Sequence, residues 1–330
     1  MNAEKILREY ATGTRDFSRT NLIGINLFGA DLLGVDFSRS DVSRANFVLA
    51  FLSKANFTGA KLTGARLGGA TLNQAEITNA NLSEADLHGA RLQRVNLFGT
   101  NLALANLMDA DLSSADLRNV NLRGANLKGA ILTAANLREE RGYPTTSLAR
   151  ANLQKADLRG ANLTGVDLTG ADLSGANLND TTLVRANLRG ANLLNAELKG
   201  IQLAEADISE ANLTGANLTD ATLTRANLSQ SKLDKATLKR SSANRANFSS
   251  TSLVEADLSM GNYSGADLSR ANLTRAILRE ASFVDAYLAR ANLTEADLTR
   301  AVLEKAEISG AILMNAILQG TTMPDGRTNS

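Results

Sequence analysis

The sequence predicts an all-β solenoid, in which short parallel strands wind around a long core and successive coils stack on one another. A five-residue word with a large apolar centre recurs from Phe17 to Leu137 and again from Leu148 to Leu318. Of its 60 centres 48 are Leu, and 20 of the 25 glycines lie two positions after a centre. A strict period with a fixed place for glycine indicates a turn repeated along the chain.

The stretch from 156 to 175 shows why a five-residue period requires that turn. It reads ADLRG ANLTG VDLTG ADLSG, so Ala156 and Leu158 share one face of an extended segment and Asp157 points outward. A helix would rotate the apolar pair by about 140° per word, and a straight strand would flip it to the opposite face. The chain must therefore turn once per word, and Gly160 marks a corner that favours positive φ.

The length of one coil can be tested within the sequence. If a coil takes 20 residues, residues 20 apart stack about 4.8 Å apart. The phenylalanines Phe17, Phe37 and Phe57 would then form one aromatic ladder. Charges alternate in sign at the same spacing in two series, Lys235, Glu255, Arg275, Glu295 and Arg185, Glu205, Arg225. Both patterns favour four words per coil.

The pattern A-(D/N)-L-x-x resembles that of the pentapeptide repeat family, and the resemblance covers residues 15 to 320. It implies a right-handed quadrilateral parallel β-helix, with about four pentapeptides per coil. It implies no single activity, because the family includes several unrelated roles.

One continuous solenoid domain is predicted, and its amino end is expected to carry a short N-terminal helical cap. Asn2 to Tyr10 would form this helix with Ile6, Leu7 and Tyr10 on its apolar side. An uncovered solenoid end would expose apolar side chains and unpaired strand edges. The predicted segments are the cap 1–14, a first repeat block 15–137, an interrupting loop 138–147, a second repeat block 148–320 and a C-terminal tail 321–330.

Charge and cysteine content narrow the classes of function. The chain has 35 Lys and Arg against 34 Asp and Glu, a balance that disfavours a polyanion mimic and a general nucleic-acid binder. Without Cys it has neither disulfides nor thiolate chemistry. No apolar stretch approaches a membrane span and no signal-peptide pattern is present. The expected location is cytoplasmic, with no membrane contact.

No catalytic, cofactor or metal site is predicted. His88 is the only histidine, and it lies one position after a centre without a nucleophile or a carboxylate in a triad pattern. The Asp and Asn residues that precede the centres do not have the ordered spacing of a Ca²⁺ loop. Their side chains are expected to bond to nearby backbone.

The five-residue repeat is interrupted between Leu137 and Leu148. These two centres are 11 residues apart, the length of two words plus one residue. One interpretation is a bulge left by a one-residue insertion. The other is a protruding loop that touches a partner, because loops on rigid scaffolds often carry recognition. The candidate contact residues are Arg138, Glu139, Glu140, Arg141, Tyr143 and Pro144.

The core pattern is least regular from 231 to 263. Ala243 replaces the central Leu, and Gly261 replaces the inward Ala before Tyr263, so the core is expected to make room for the tyrosine ring. Basic residues fall in the same region, either as solvated charges or as a weak nucleic-acid site. They are Lys232, Lys235, Lys239, Arg240 and Arg245.

Apolar residues occupy outward positions at both ends. In the last coil the candidate contact surface is Val302, Ile312, Met314 and Ile317, which we expect to be covered by the tail around Met323 or by a second copy. The resemblance favours the second copy, because some family members dimerise through their carboxyl ends. At the amino end the cap is expected to cover some of Phe28, Val48, Leu49 and Phe51.

A long rigid surface without a catalytic constellation predicts a non-enzymatic structural or protein–protein interaction scaffold with an unidentified protein partner. The resemblance supplies an alternative, because some family members mimic DNA and bind DNA gyrase or another type II topoisomerase. B-DNA carries about one negative charge per 1.7 Å, and a chain of net charge +1 does not match it.

Overall fold

The computed structural model describes residues 1–329 and divides the chain into two compact units, Met1–Asp167 and Leu168–Ser330. Within the described residues the one regular helix is α1, Ala3–Ala11. The rest of each unit is built from single-residue parallel bridges, one per word, rather than from extended strands. Each unit is therefore a parallel β-helix of very short strands.

The word from 156 to 160 shows how the sequence forms this structure. Ala156 and Leu158 are fully buried, while Asp157 between them forms the bridge and faces outward. Gly160 adopts a φ of +65°, and the N–H of Ala161 donates to the carbonyl of Leu158 at 3.0 Å to close the turn. Each word is thus one inward-facing pair followed by one tight corner.

The bridges have a constant register through most of each unit. Asp41 pairs with Asn21 on one side and with Lys61 on the other, each 20 residues away. The N–H of each centre donates forward, as from Leu22 to the carbonyl of Asp41 at 2.8 Å. The N–H of the residue before it donates backward, as from Asp41 to the carbonyl of Thr20 at 2.9 Å. We call this 20-residue step one coil.

Side chains stack along this register as the sequence predicts. The ring centroids of Phe17 and Phe37 are 5.9 Å apart, and those of Phe37 and Phe57 are 5.6 Å apart. Phe47 joins them from another ladder, at 6.0 Å from Phe37. The charge series also pair, in the ion pairs Lys235–Glu255 at 3.8 Å, Arg275–Glu255 at 2.7 Å and Arg225–Glu205 at 3.6 Å.

The corners need positive φ even where glycine is absent. Arg225 has a φ of 58° and Glu205 a φ of 60°, a region that costs an L-residue roughly 1 to 2 kcal/mol. The corner residue's N–H is nevertheless paired, as from Arg225 to the carbonyl of Asn244 at 3.0 Å. The hydrogen-bond ladder therefore holds charged residues in a conformation that the sequence pattern assigns only to glycine.

Helix α1 covers the core of the first coil. The side chain of Asn2 caps it by accepting a hydrogen bond from the N–H of Lys5 at 3.0 Å, and Ile6 is fully buried. The hydroxyl of Tyr10 donates to the carbonyl of Leu33 at 2.8 Å. The expected apolar side is correct for Ile6 but wrong for Leu7, which is 40% exposed.

We expect Ile6→Ala to lower the free energy of unfolding of the amino-terminal region by about 2 to 5 kcal/mol, because it removes the buried contact between helix and coil. Leu7→Ala is the matched control and should cost less than about 1 kcal/mol. Urea titration followed by circular dichroism checks both variants. Equal effects of the two substitutions would contradict the capping role of Ile6.

Candidate interaction surfaces

The interrupting loop is a six-residue insertion. Asp116 pairs with Asn136 at the normal spacing of 20, whereas Asn121 pairs with Ser147 at a spacing of 26. The interpretation as a one-residue bulge is therefore wrong. Thr146 is fully buried at the inward position of the next word, so the extra residues are 140–145. The ladder continues on both sides because the inserted residues leave it completely.

The loop is held on the coil surface by an ion-pair network. Arg118 donates to the carboxylates of Asp116 and Glu140, each at 2.7 Å. The hydrogen bonds that Arg118 donates to Asp116 and then to Glu140 raise the pKa of its guanidinium. Two rings add to this anchor, since Phe98 and Tyr143 meet edge to face with centroids 5.1 Å apart. The loop is thereby fixed against the wall of the solenoid.

The residues predicted for partner contact divide into two groups. Glu140 is half-buried and holds the loop, so its role is internal. The other candidates face solvent, and Tyr143 remains 54% exposed beside Arg141. Tyrosine and arginine are the side chains most enriched at the energetic centres of protein interfaces. The exposed members are Arg138, Glu139, Arg141, Tyr143 and Pro144.

Two anchoring residues were not predicted from the sequence, although a signal for them exists. Phe98 lies one position after its centre, where an aromatic residue is rare, and Arg118 lies 20 residues later in the same row. The 20-residue register places the arginine over the ring, 5.5 Å from its centroid. The outward aromatic residue Phe98 therefore indicates which part of the wall the loop contacts.

The last coil exposes apolar side chains. Ile312 and Ile317 are each 50% exposed and Met314 is 60% exposed, while Val302 is half-buried. The tail does not cover the first three, so of the two expected covers, the tail or a second copy, the tail is ruled out for them. It folds instead into a hairpin in which Thr322 bridges Val302 in parallel and Thr328 in antiparallel sense.

The last coil also presents an open strand edge. Three of its inward residues, Ile308, Leu313 and Leu318, are partly exposed, whereas earlier centres are buried. Among residues 1–329 their N–H groups have no backbone acceptor. The tail hairpin protects only the ladder of Val302, where the N–H of Leu303 donates to Thr322 at 2.8 Å.

A second apolar surface lies near the amino end. Phe28, Leu49 and Phe51 are 58%, 53% and 56% exposed, and Val48 is half-buried. The helical cap therefore leaves the three larger side chains in solvent, so the cover that we expect from it does not extend to them.

The irregular region from 231 to 263 is explained by core packing. The Tyr263 ring is fully buried and stacks on Phe283 at 5.1 Å, and its hydroxyl bonds to Ser241 at 2.9 Å. Burial raises the pKa of this hydroxyl, which therefore remains protonated. A Cβ on Gly261 would lie 2.5 Å from the ring, as the sequence predicts. These departures from the word accommodate one large ring.

The five basic residues of this region do not form one positive surface. Lys235, Lys239 and Arg240 are in ion pairs with Glu255, Asp257 and Asp220, and the five residues belong to three different ladders. Lys232 lies on one of these three ladders and Arg245 on another. The arrangement does not concentrate positive charge.

We expect Gly261→Ala to destabilise the second unit by about 1 to 3 kcal/mol, because the new methyl group overlaps the enclosed Tyr263 ring. Gly68→Ala is the matched control. Its methyl group also meets a ring, that of His88, but this ring is exposed and can move. Thermal unfolding of the two variants distinguishes them, and an unchanged midpoint for Gly261→Ala would refute this packing.

His88 lies beside a single carboxylate. The His88 ring is exposed, with Nδ1 2.9 Å from the carboxylate of Asp86. Over residues 1–329 no three His, Cys, Asp or Glu side chains come together as a metal site. The same range contains no helix long and apolar enough to cross a membrane.

Comparisons with known proteins identify the repeat. A family model described as pentapeptide repeats matches successive segments over residues 16–103, 105–139 and 146–320. A comparison with curated proteins finds no match. The repeat matches thus span nearly the whole solenoid and stop at the inserted loop.

Solved structures of similar sequence include three repeat proteins. HetL, involved in heterocyst differentiation regulation in the cyanobacterium Nostoc sp. strain PCC 7120, is 30% identical over 100% of both chains, with a TM-score of 0.23. Rfr23 of the cyanobacterium Cyanothece 51142 is 35% identical over 29% of this chain and 63% of its own, at 0.26. A protein of the Arabidopsis thaliana thylakoid lumen is 30% identical over 37% and 71%, at 0.27. With such TM-scores, the relationship depends on sequence rather than superposition.

Proposed function

Because this chain belongs to the pentapeptide repeat family, we propose that it is a non-enzymatic scaffold that binds a protein partner through its inserted loop. Members of the family fold as right-handed β-helices, which offer a long rigid surface without an enclosed pocket. We also propose that each 20-residue coil is quadrilateral, with one word on each of four sides, since every word ends in a corner of positive φ.

The observation that supports the loop as the contact is its fixed position. Arg118, Phe98 and Glu140 hold the loop on the wall, so Tyr143 and Arg141 face solvent on a backbone that is already ordered. A partner that binds a preorganised loop does not have to provide the free energy of ordering it. Rigid placement of exposed tyrosine and arginine therefore favours recognition over a spacer role.

The alternatives have no such support. On the described surface many carboxylates pair with arginine or lysine, as in Asp220–Arg240 at 2.7 Å and Asp297–Arg279 at 2.6 Å. Neutralised pairs weaken both DNA mimicry of the kind that binds DNA gyrase and nucleic-acid binding through the basic residues.

Partner capture tests the scaffold. The intact chain should retain a specific protein from a native lysate, and the double variant Arg141→Glu/Tyr143→Ala should bind that purified protein at least about tenfold more weakly. The matched control, Arg270→Glu/Tyr287→Ala, changes the same residue types at exposed positions, with Tyr287 at 55%. Calorimetry with the purified partner gives both affinities. Equal losses would remove the loop from the interface, and no specific partner would reject the scaffold.

We further propose that two copies pair end to end through the last coil. Ile312 and Ile317 would be buried, and the free N–H groups of Leu313 and Leu318 would find acceptors on the second copy. This pairing would cover the apolar surface that the tail leaves open.

Light scattering tests this pairing. Ile312→Asn/Ile317→Asn restores the polar residue usual at that position and should lower the mean mass below that of the wild type, because it removes the apolar contact. Ile131→Asn/Ile277→Asn is the control, since these outward isoleucines lie within the coils at 39% and 38% exposure. A mean mass that the first pair of substitutions leaves unchanged, or a monomeric wild type, would exclude this interface.

A further inference from the structure

One side of the second unit has no charged residue over six coils, and the seventh coil adds Val302 followed by the charged Glu304. Its bridging residues form a single ladder that runs from Thr182 through Val302 and continues to Thr322 in the tail. The outward residues two positions later in each coil, from Val184 to Val284, are also uncharged. We call this side the neutral face. Its bridging residues are Thr182, Gln202, Thr222, Ser242, Asn262, Ser282 and Val302.

The neutral face is flat as well as uncharged. Apart from Gln202 its bridging side chains are short, and nearly all of them are half-buried in the wall, with Asn262 the exposed member. The ladder that precedes it around the coil differs, because it carries ion pairs such as Asp257–Lys239 and Asp297–Arg279. The cores of protein interfaces are depleted in charged residues, so this composition is that of an interface centre.

A row of charged corner residues borders the neutral face, and the charges of this row are ordered. Each corner residue donates its N–H to the neutral face of the next coil, as from Glu205 to Thr224 at 3.0 Å and from Asp285 to Glu304 at 3.0 Å. The row therefore lies beside the face with one residue per coil. In order its members are Arg185, Glu205, Arg225, Arg245, Gly265, Asp285 and Lys305.

We propose that the neutral face docks on the neutral face of a second copy, with the two solenoids antiparallel. A two-fold axis along the strand direction keeps the corner row facing itself and reverses its order. With the axis midway between Arg245 and Gly265, Glu205 meets Lys305 of the other copy, and Arg225 meets Asp285. Each contact occurs twice because the interface is isologous.

Neighbouring registers are disfavoured by charge. With the axis one half-coil earlier, at Arg245, this residue meets itself and Arg185 meets Lys305. One half-coil later, at Gly265, Arg225 meets Lys305, and the one attractive contact, Arg245 with Asp285, only offsets this repulsion. The proposed register instead has two attractive contacts and no repulsive one in this row. Like charges in contact across an interface cost several kcal/mol, so the row selects one register.

The corner row on the other side of the neutral face, which runs from Asp180 to Arg300 with one residue per coil, tolerates this register. It brings Asp220 opposite Glu280 of the second copy, but each carboxylate already has an arginine of its own chain. Arg240 lies 2.7 Å from Asp220, and Arg300 lies 3.9 Å from Glu280. The two acids therefore approach as neutralised pairs.

The area suits a weak dimer. Six overlapping coils at about 4.8 Å spacing and a width of about 20 Å, corner side chains included, bury about 500 Å² on each copy. A total of about 1,000 Å² is at the lower limit for a specific interface. Pairing is thus expected at micromolar concentrations and should be concentration-dependent.

Cysteine cross-linking tests the register, since the chain contains no cysteine. In the proposed dimer Ala204 lies opposite Glu304 of the other copy, while identical residues are about 24 Å apart. An equal mixture of Ala204→Cys and Glu304→Cys chains at about 100 µM should cross-link with a short bismaleimide, and neither variant should do so alone. Glu304→Cys cross-linked to itself would instead indicate end-to-end pairing. Absence of the mixed product would overturn the proposal.

Two further pairs of variants exclude an effect of misfolding. Thr222→Arg places a charge in the neutral face and should reduce the mixed cross-link at least about tenfold, whereas Thr237→Arg, at the same position of another ladder, should leave it unchanged. Glu205→Lys should weaken pairing, and adding Lys305→Glu to the same chain should restore it. Equal loss with both arginine variants, or no rescue by the second charge reversal, would reject this face as the interface. Partner capture through the loop is independent of these results.

Discussion

The parallel hydrogen-bond ladder constrains the rest of the structure. Each coil pairs with both neighbours because the inward residues and the residues before them recur after 20 residues, as in the bridge of Asp41 to Asn21, or after 26 where the loop is inserted. This forces one corner per word, and the corners must adopt positive φ whether the residue is glycine or arginine. A positive φ has a conformational free-energy cost at each corner that lacks glycine. The hydrogen bonds of the ladder and the burial of the leucines offset this cost.

The outward Asp and Asn residues support the corners that the ladder requires. Asp16 accepts the N–H of Ser18 at 2.9 Å, and this backbone hydrogen bond lowers the pKa of the Asp16 carboxyl. Asp157 accepts from Arg159, whose side-chain hydrogen bonds lower the pKa of that carboxyl. Because these pKa values are lower than in the unfolded chain, the carboxylates stabilise the fold above about pH 4 and lose this contribution as the pH falls further. The row is structural, and its chemistry does not indicate a metal site.

The sequence predicts the features that recur in every five-residue word. It does not predict contacts that occur only once in the molecule. The five-residue period predicted the inward pair, the corner, the aromatic ladder of Phe17 and the space that Gly261 leaves for Tyr263. It did not predict that six residues would leave the ladder at 140–145, because insertion length is counted only once the pairing of Asn121 with Ser147 is known. Nor does the five-residue period determine which side of the short helix α1 faces the core, and for that reason the prediction for Leu7 is wrong.

Departures from the word do not all have the same meaning. The change around Tyr263 is internal, because its ring, Ser241 and Gly261 compensate one another and the outer wall keeps its register. The inserted loop and the neutral face alter only the outside, where no packing requirement of the core explains them. The five-residue word alone is enough to pack the core of a solenoid. Selection for binding can therefore act only on the outward rows and on the insertions. The composition of an outward row, followed from coil to coil, is therefore more informative about partners than the regularity of the core.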